Sequence, residues 1–241
     1  MTLSILAFDR SEQLVGAAVT SCALAAGRRI LHVRPSVGAA VAQASSEITW
    51  GEDILDRLQD GTGPDAAIDP FRQDATQVAA IDFAGNHAVH TGNRCDTYAG
   101  HAHDDAVVAQ ANTAALADAW DRMITAYLGC TGLMAERLVA ALDASGGDAA
   151  RGHQGAAVIV TGFGPLRGYA DEPHVDLRVD DHRNPVGELR RLLALHRAHC
   201  EMRRIQDVPE EQRTLVIEAL SREHPGDPHL ERALRRLTSS T

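Results

Sequence analysis

Thr2-Leu3-Ser4-Ile5-Leu6-Ala7-Phe8 is followed by a polar turn over residues 9–13 and then by Leu14-Val15-Gly16-Ala17-Ala18-Val19-Thr20. Each apolar run has the length and residue content of a strand, and the polar residues between them suit a hairpin. Neither run alternates cleanly between apolar and polar positions, so both faces of each strand are expected to be covered. Residues 30–33 and Val37-Gly38-Ala39-Ala40-Val41-Ala42-Gln43-Ala44, joined by Arg34-Pro35-Ser36, predict a second strand pair. Hairpin-joined strands rich in Ala and Gly point to antiparallel sheets whose small side chains let neighbouring layers approach closely.

Outward from these hairpins the period changes. Ile48, Ile54, Leu55 and Leu58 recur at helical spacing, and Gly61 and Gly63 end that helix. A short helix is expected over 64–68. Strands return at 78–83 and 87–90, an irregular stretch follows, and 106–110 reads as another strand. Leu116, Trp120, Met123, Ile124 and Tyr127 line one helix, and Leu133, Leu138, Ala141 and Leu142 line a second. Gly146-Gly147 separates them from a strand at 156–160, and Val175-Asp176-Leu177-Arg178-Val179 makes the last. Asn184 then caps a helix that Pro185 opens and that runs toward Arg204. Two more amphipathic helices are expected at 209–222 and 228–237, the second with the stripe Leu230, Ala233, Leu234 and Leu237. The order of elements predicts an α+β fold, a four-layer α-β-β-α sandwich over residues 1–196, followed by a helical C-terminal extension over 197–241.

The chain has 241 residues, 44% of them hydrophobic, enough for a sizeable core. Its 33 acidic residues outnumber 23 basic ones, all of them Arg. A net charge of −10 argues against a nucleic-acid partner, which requires a basic face. The absence of Lys excludes Schiff-base lysines, Walker-type phosphate loops and a lysine general base. No apolar run reaches the length of a membrane span, and no basic segment precedes the first strand. Cys22, Cys95, Cys130 and Cys200 form no CxxC pair. The expectation is a cytoplasmic protein with reduced thiols, no membrane partner and no cofactor.

Several segments carry a family likeness. They are Thr2-Leu3-Ser4-Ile5-Leu6-Ala7, Gly16-Ala17-Ala18-Val19-Thr20-Ser21, residues 37–44, His90-Thr91-Gly92, Tyr98-Ala99-Gly100-His101 and Ala109-Gln110-Ala111-Asn112. The most specific is Val175-Asp176-Leu177-Arg178-Val179-Asp180-Asp181-His182, with Pro185 and Glu188-Leu189-Arg190-Arg191-Leu192 after it. Together, over residues 2–196, they resemble the domain of unknown function 1028 family, which is placed by fold with the N-terminal-nucleophile (Ntn) hydrolases. The chain departs from the family pattern at Gly155, where a Ser often stands. It also lacks the lysine that Ntn hydrolases commonly hold near the nucleophile.

The resemblance singles out Thr2. Removal of Met1 would leave an N-terminal Thr whose hydroxyl attacks a carbonyl while its own α-amine, with a pKa of about 7.7–8.0, acts as base. Met-Thr is also a common chain start, and Thr is a good strand residue. Ser4 points to the same face as Thr2, and Ser21 and Cys22 end the second strand beside it. Each is a partner or a rival nucleophile, although Cys is more often a buried structural residue. Gln43 and Asn112 are candidate donors to a carbonyl oxygen, and Arg34, His90 and Thr91 are candidate substrate contacts. The expected activity is hydrolysis of an amide bond in a small-molecule or peptide-like substrate by a self-associating enzyme. Two other readings stand beside it. One is a non-catalytic binding or scaffold protein on the same fold. The other is a zinc-dependent hydrolase using His87, His90, Cys95, His101 and His103, a spacing that matches no zinc template. At His174, Asp176, Asp180, Asp181 and His182 the strand-end acids suit pairing with Arg178 or Arg183, or capping the following helix, better than metal binding. The glycines at 146–147, 152 and 155 lead into a strand, so they suit a turn rather than a phosphate loop.

Overall fold

The computed structural model describes residues 1–96, 98–146, 154–162, 175–206, 209–223 and 225–238. The opening hairpin forms: β1 (Thr2–Asp9) pairs antiparallel with β2 (Leu14–Ser21), Thr2 standing opposite Ser21 and Asp9 opposite Leu14. After α1 (Ala26–Ile30) come β3 (Leu31–Arg34) and β4 (Gly38–Ala44), then α2 (Trp50–Gln59) and α3 (Pro64–Ile68). Four strands follow: β5 (Thr76–Asp82), β6 (His87–Thr91), β7 (Gly100–Asp104) and β8 (Val107–Asn112). Two helices, α4 (Ala119–Gly129) and α5 (Met134–Ala144), lead to β9 (Gly155–Gly162) and β10 (Val175–Val179). The chain ends in α6 (Pro185–Gln206), α7 (Glu210–Glu223) and α8 (Pro228–Thr238).

The strands form two antiparallel sheets. One has six strands in the order β10-β9-β2-β1-β8-β7, and the other has four in the order β3-β4-β5-β6. Leu6, Val15, Ala17, Val19, Val108 and Ile159 of the first pack against Ala39, Val41, Ala79 and Ile81 of the second. The alternate residues of β4 and β5, among them Ala40, Ala42, Val78 and Ala80, pack under Ile54, Leu55 and Leu58 of α2 and Ile68 of α3. Helix α5 covers β1, β2 and β9, and α4 covers β7 and β8. This explains the missing alternation: strands packed on both faces have no solvent side to mark with polar residues. Each fully buried Leu, Ile or Val adds about 1.5–3 kcal/mol. The Ala and Gly positions set the spacing instead. A Cβ on Gly16 would stand 2.9 Å from both Leu138 Cδ1 and Val160 Cγ2, so α5 approaches β2 only because that position is bare.

Several details differ from the sequence expectations. The irregular stretch contains β7, whose His101 and His103 alternate with Gly100 and Ala102 and carry no apolar periodicity. Residues 26–30 form α1, so Ile30 ends a helix and the strand expected over 30–33 begins at Leu31. Ile48 lies before α2 and is exposed, and Leu116 lies before α4. Gly147, Gly152, His153 and His174 lie outside the described residues.

The chain divides into two compact units, Met1–Leu189 and Arg190–Thr241. Both this division and the expected boundary at 196/197 fall inside α6. The second unit has its own small core of Ile205, Leu220 and Leu230, flanked by Val216, Ile217 and Leu234. An Arg197–Asp227 ion pair at 2.6 Å and a hydrogen bond from the Leu230 N–H to Asp227 fix the start of α8 within it. Among the described residues, no helix is long and apolar enough to cross a membrane.

Candidate active site

Alternation along each strand decides what lies between the sheets. Leu6 and Phe8 face the four-stranded sheet, so Thr2 and Ser4 do as well. The same holds for Ser21 after Val19, Gln43 after Val41, Gln77 before Ala79, and Gln110 and Asn112 after Val108. The apolar layer between the sheets therefore ends in a polar row at the Thr2 end. The row is buried: Thr2 is 8% exposed and Gln77 and Gln110 are both 0% exposed.

Gln77 is its centre. Its Oε1 accepts from Gln43 Nε2 at 2.8 Å and from Asn112 Nδ2 at 3.0 Å. Its Nε2 donates to Thr91 Oγ1 and to the Ala111 carbonyl, each at 2.9 Å, and to the Gly100 carbonyl at 3.2 Å. Ser4 Oγ donates to Gln43 Oε1 at 2.8 Å, and Thr91 Oγ1 meets His101 Nδ1 at 2.9 Å. The chain of bonds thus crosses between the sheets from Ser4 to His101. Gln110, opposite Ser4 on one side and His101 on the other, has neither side-chain polar atom bonded.

At the start of β1 the hydroxyls are ordered by proton count. Ser21 Oγ donates to the Met1 carbonyl at 3.1 Å and accepts from the Ala23 N–H at 3.2 Å. Its one proton being used, the 3.0 Å contact with Thr2 Oγ1 has Thr2 as donor. The Cys22 N–H also donates to the Met1 carbonyl, at 3.2 Å, so two donors hold that oxygen. The Met1 α-amine contacts Cys22 Sγ at 3.2 Å. The Phe8 N–H bonds the Ala106 carbonyl, which makes the even-numbered residues of β1 the hydrogen-bonded partners of β8. The Thr2 nitrogen accordingly faces the Asn112 carbonyl.

Thr2, Ser21, Gln43, Asn112 and Thr91 of the sequence candidates thus come together. Arg34 and His90 do not join them. Arg34 shares a face with His32 and pairs with Glu52 at 3.0 Å and Asp56 at 2.8 Å on α2. His32, aided by Arg34, holds the Glu52 carboxyl below its usual range, against the opposing effect of burial. His90 points to the face opposite Thr91, where its Nε2 meets the Gln73 carbonyl. His101 is held below the ordinary imidazole range by burial first and then by His103 and His90. His87 and His103 contact one another at 3.2 Å, joining β6 of one sheet to β7 of the other. Among the described residues, no three His, Cys, Asp or Glu side chains form a group able to hold a metal ion.

A cavity of about 540 Å³ opens beside this row, with Thr91 and His101 in its wall. A smaller one, about 320 Å³, lies at the far end of β1 around Asp9, Tyr127 and Arg137. Sequence reasoning missed Gln77 because the predicted strand began at Val78. Extending the alternation of Ala79 and Ile81 back one step would have put Gln77 on the inner face.

The model of a family of unknown function, DUF1028, matches residues 2–189. The chain belongs to that family. A crystal structure of a Silicibacter pomeroyi protein of the DUF1028 family is similar to it, with 29% sequence identity and a TM-score of 0.71. The alignment covers 80% of this chain and 87% of that one. No curated protein matches the sequence. The DUF1028 region coincides with the unit that carries the polar row and ends at its last residue, Leu189.

Proposed function

We propose that this DUF1028 chain is an N-terminal-nucleophile amidohydrolase acting on a small-molecule or peptide-like amide, and that its facing sheets with helices outside form the α-β-β-α sandwich of that fold. The observation that carries the proposal is the Thr2 hydroxyl, buried at the start of β1 and 3.0 Å from Ser21 Oγ, beside a carbonyl oxygen held by two donors. Removal of Met1 by hydrolysis frees Ser21 Oγ–H and Cys22 N–H together, and two such donors suit the oxygen of a substrate carbonyl.

The reaction then runs on one residue. The Thr2 α-amine, oriented by the Asn112 carbonyl, takes the proton from Thr2 Oγ1 as that oxygen bonds to the amide carbon. Ser21 and the Cys22 N–H stabilise the oxyanion. The protonated amine passes its proton to the leaving nitrogen, the C–N bond breaks, and an ester on Thr2 remains. Water, deprotonated by the same amine, cleaves the ester to the carboxylic acid and restores the hydroxyl. Gln43 and Asn112 both donate to Gln77 Oε1, so their part is to hold the row in place.

The test is the intact mass of the purified full chain before and after an electrophile selective for N-terminal nucleophiles. The expected result is loss of Met1 and a single adduct on Thr2, absent in Thr2→Ala. A retained Met1 with no adduct overturns the proposal in favour of a binding protein on the same fold.

A further inference from the structure

The cavity of about 540 Å³ is large enough for a small organic ligand, and its lining is selective in charge. Asp96 supplies a carboxylate and Tyr98 and Trp120 supply aromatic rings to its lining, along with Thr91 and His101. No Arg lines it among the described residues, and the chain has no Lys to reach in. Trp120 reaches the cavity because Gly100 is bare, since a Cβ there would overlap the indole. His101 adds no positive charge near neutrality, because burial and its neighbouring imidazoles disfavour the protonated ring. A carboxylate beside two aromatic rings attracts a cation by Coulombic and cation–π interaction together and repels an anion.

The cavity also has a defined relation to Thr2. Thr91 ends β6, Gly100 begins β7, Asn112 ends β8 and Thr2 begins β1, so all four mark one end of the two sheets. In the six-stranded sheet β7 lies two strands from β1, on the order of 10 Å. The wall residue Thr91 is bonded to Gln77, which is bonded to Asn112, the register partner of Thr2.

From this juxtaposition we infer that the Asp96–Tyr98–Trp120 cavity binds an organic cation, an ammonium or guanidinium group, and selects amides that carry one. The selection of amides rests on the hydrolase reading; the binding of a cation does not.

The test is calorimetric titration of the full chain with butylammonium, butylguanidinium and butyltrimethylammonium, against 1-butanol and butyrate as neutral and anionic counterparts of the same length. At least one cation is expected to bind about tenfold or more tightly than 1-butanol, with butyrate weakest. Asp96 is exposed, so Asp96→Asn is expected to fold normally and to bring cation and alcohol within about twofold of each other. Trp120→Leu should weaken the cations and spare any residual alcohol binding. Equal binding of cation and alcohol overturns the inference, as does no cation binding at all or an unchanged preference in Asp96→Asn. Repeating the titration in Thr2→Ala separates the two proposals. Cation binding that persists there, with no adduct on wild-type Thr2, rejects the hydrolase and keeps the site.

Discussion

Replacing Gln77 by Met keeps the length and volume of the side chain and removes its amide. Gln43 Nε2 and Asn112 Nδ2 both lose their acceptor, Gln77 Oε1. Both residues are buried, so neither donor reaches water without rearrangement. A stranded buried donor costs about 1–3 kcal/mol, giving about 2–6 kcal/mol for the pair. The carbonyls of Gly100 and Ala111 lose a bond as well, but a carbonyl with two lone pairs suffers less. The thioether recovers part of the loss through apolar burial. Set against a typical stability of about 5–15 kcal/mol, a net loss of about 4 kcal/mol would lower the urea midpoint severely. Equilibrium unfolding followed by circular dichroism measures it. Adding Asn112→Leu to Gln77→Met removes one of the stranded donors, so the double variant should be more stable than the sum of the single changes predicts, by about 1 kcal/mol or more. A loss below about 1 kcal/mol for Gln77→Met, or strict additivity, would refute the view that one amide ties the row together.

Three further outcomes follow from other positions. Gly16→Ala places a Cβ 2.9 Å from Leu138 Cδ1 and Val160 Cγ2 and should cost about 1–3 kcal/mol by overpacking, read as a fall in the unfolding midpoint. Gln110→Leu removes two buried polar atoms that have no bonding partner and should stabilise by about 1–3 kcal/mol; destabilisation would mean that a bound water or ligand satisfies the amide. The imidazole of His101 is harder to protonate folded than unfolded, so the unfolded chain binds more protons between the two pKa values and stability rises with pH there. Thermal midpoints should therefore fall as pH drops below about 6.5, and His101→Asn should flatten that slope.

Most of the fold was legible in the sequence for a physical reason. Strands covered on both faces show as unbroken apolar runs, and the helices between them show as 3.6-residue stripes, so β1, β2, β4, β8 and α5 follow directly from pattern. Strand β7 was hidden because its inward residues are His101 and His103, which serve a polar edge rather than the apolar core. The site was half legible. Family likeness drew attention to Thr2, Gln43, Thr91 and Asn112, which do converge. Arg34 drew attention as a positive charge after a strand in a chain without Lys, but it lies at the opposite end of the sheet from Gln43, where Glu52 and Asp56 of α2 neutralise it. Which end of a strand faces which partner depends on register between distant segments, and no single segment carries that information.

The composition of the polar row bears on how a base could work beside it. Thr2, Ser4, Ser21, Gln43, Gln77 and Asn112 are all uncharged. An ionised side chain buried among them would need a partner, and none of these groups carries a countercharge. A chain without Lys therefore leaves its row of dipoles neutral and, on the proposed mechanism, takes its titrating group from the backbone. On that mechanism the departure of Met1 leaves the Thr2 α-amine at the end of the row, beside the Asn112 carbonyl. It would then sit within reach of the hydroxyl on the same residue that it is to deprotonate. Arg could not substitute, because its guanidinium does not release a proton at physiological pH. On that mechanism the amide network holds Asn112, the register partner of Thr2, in place beside the amine.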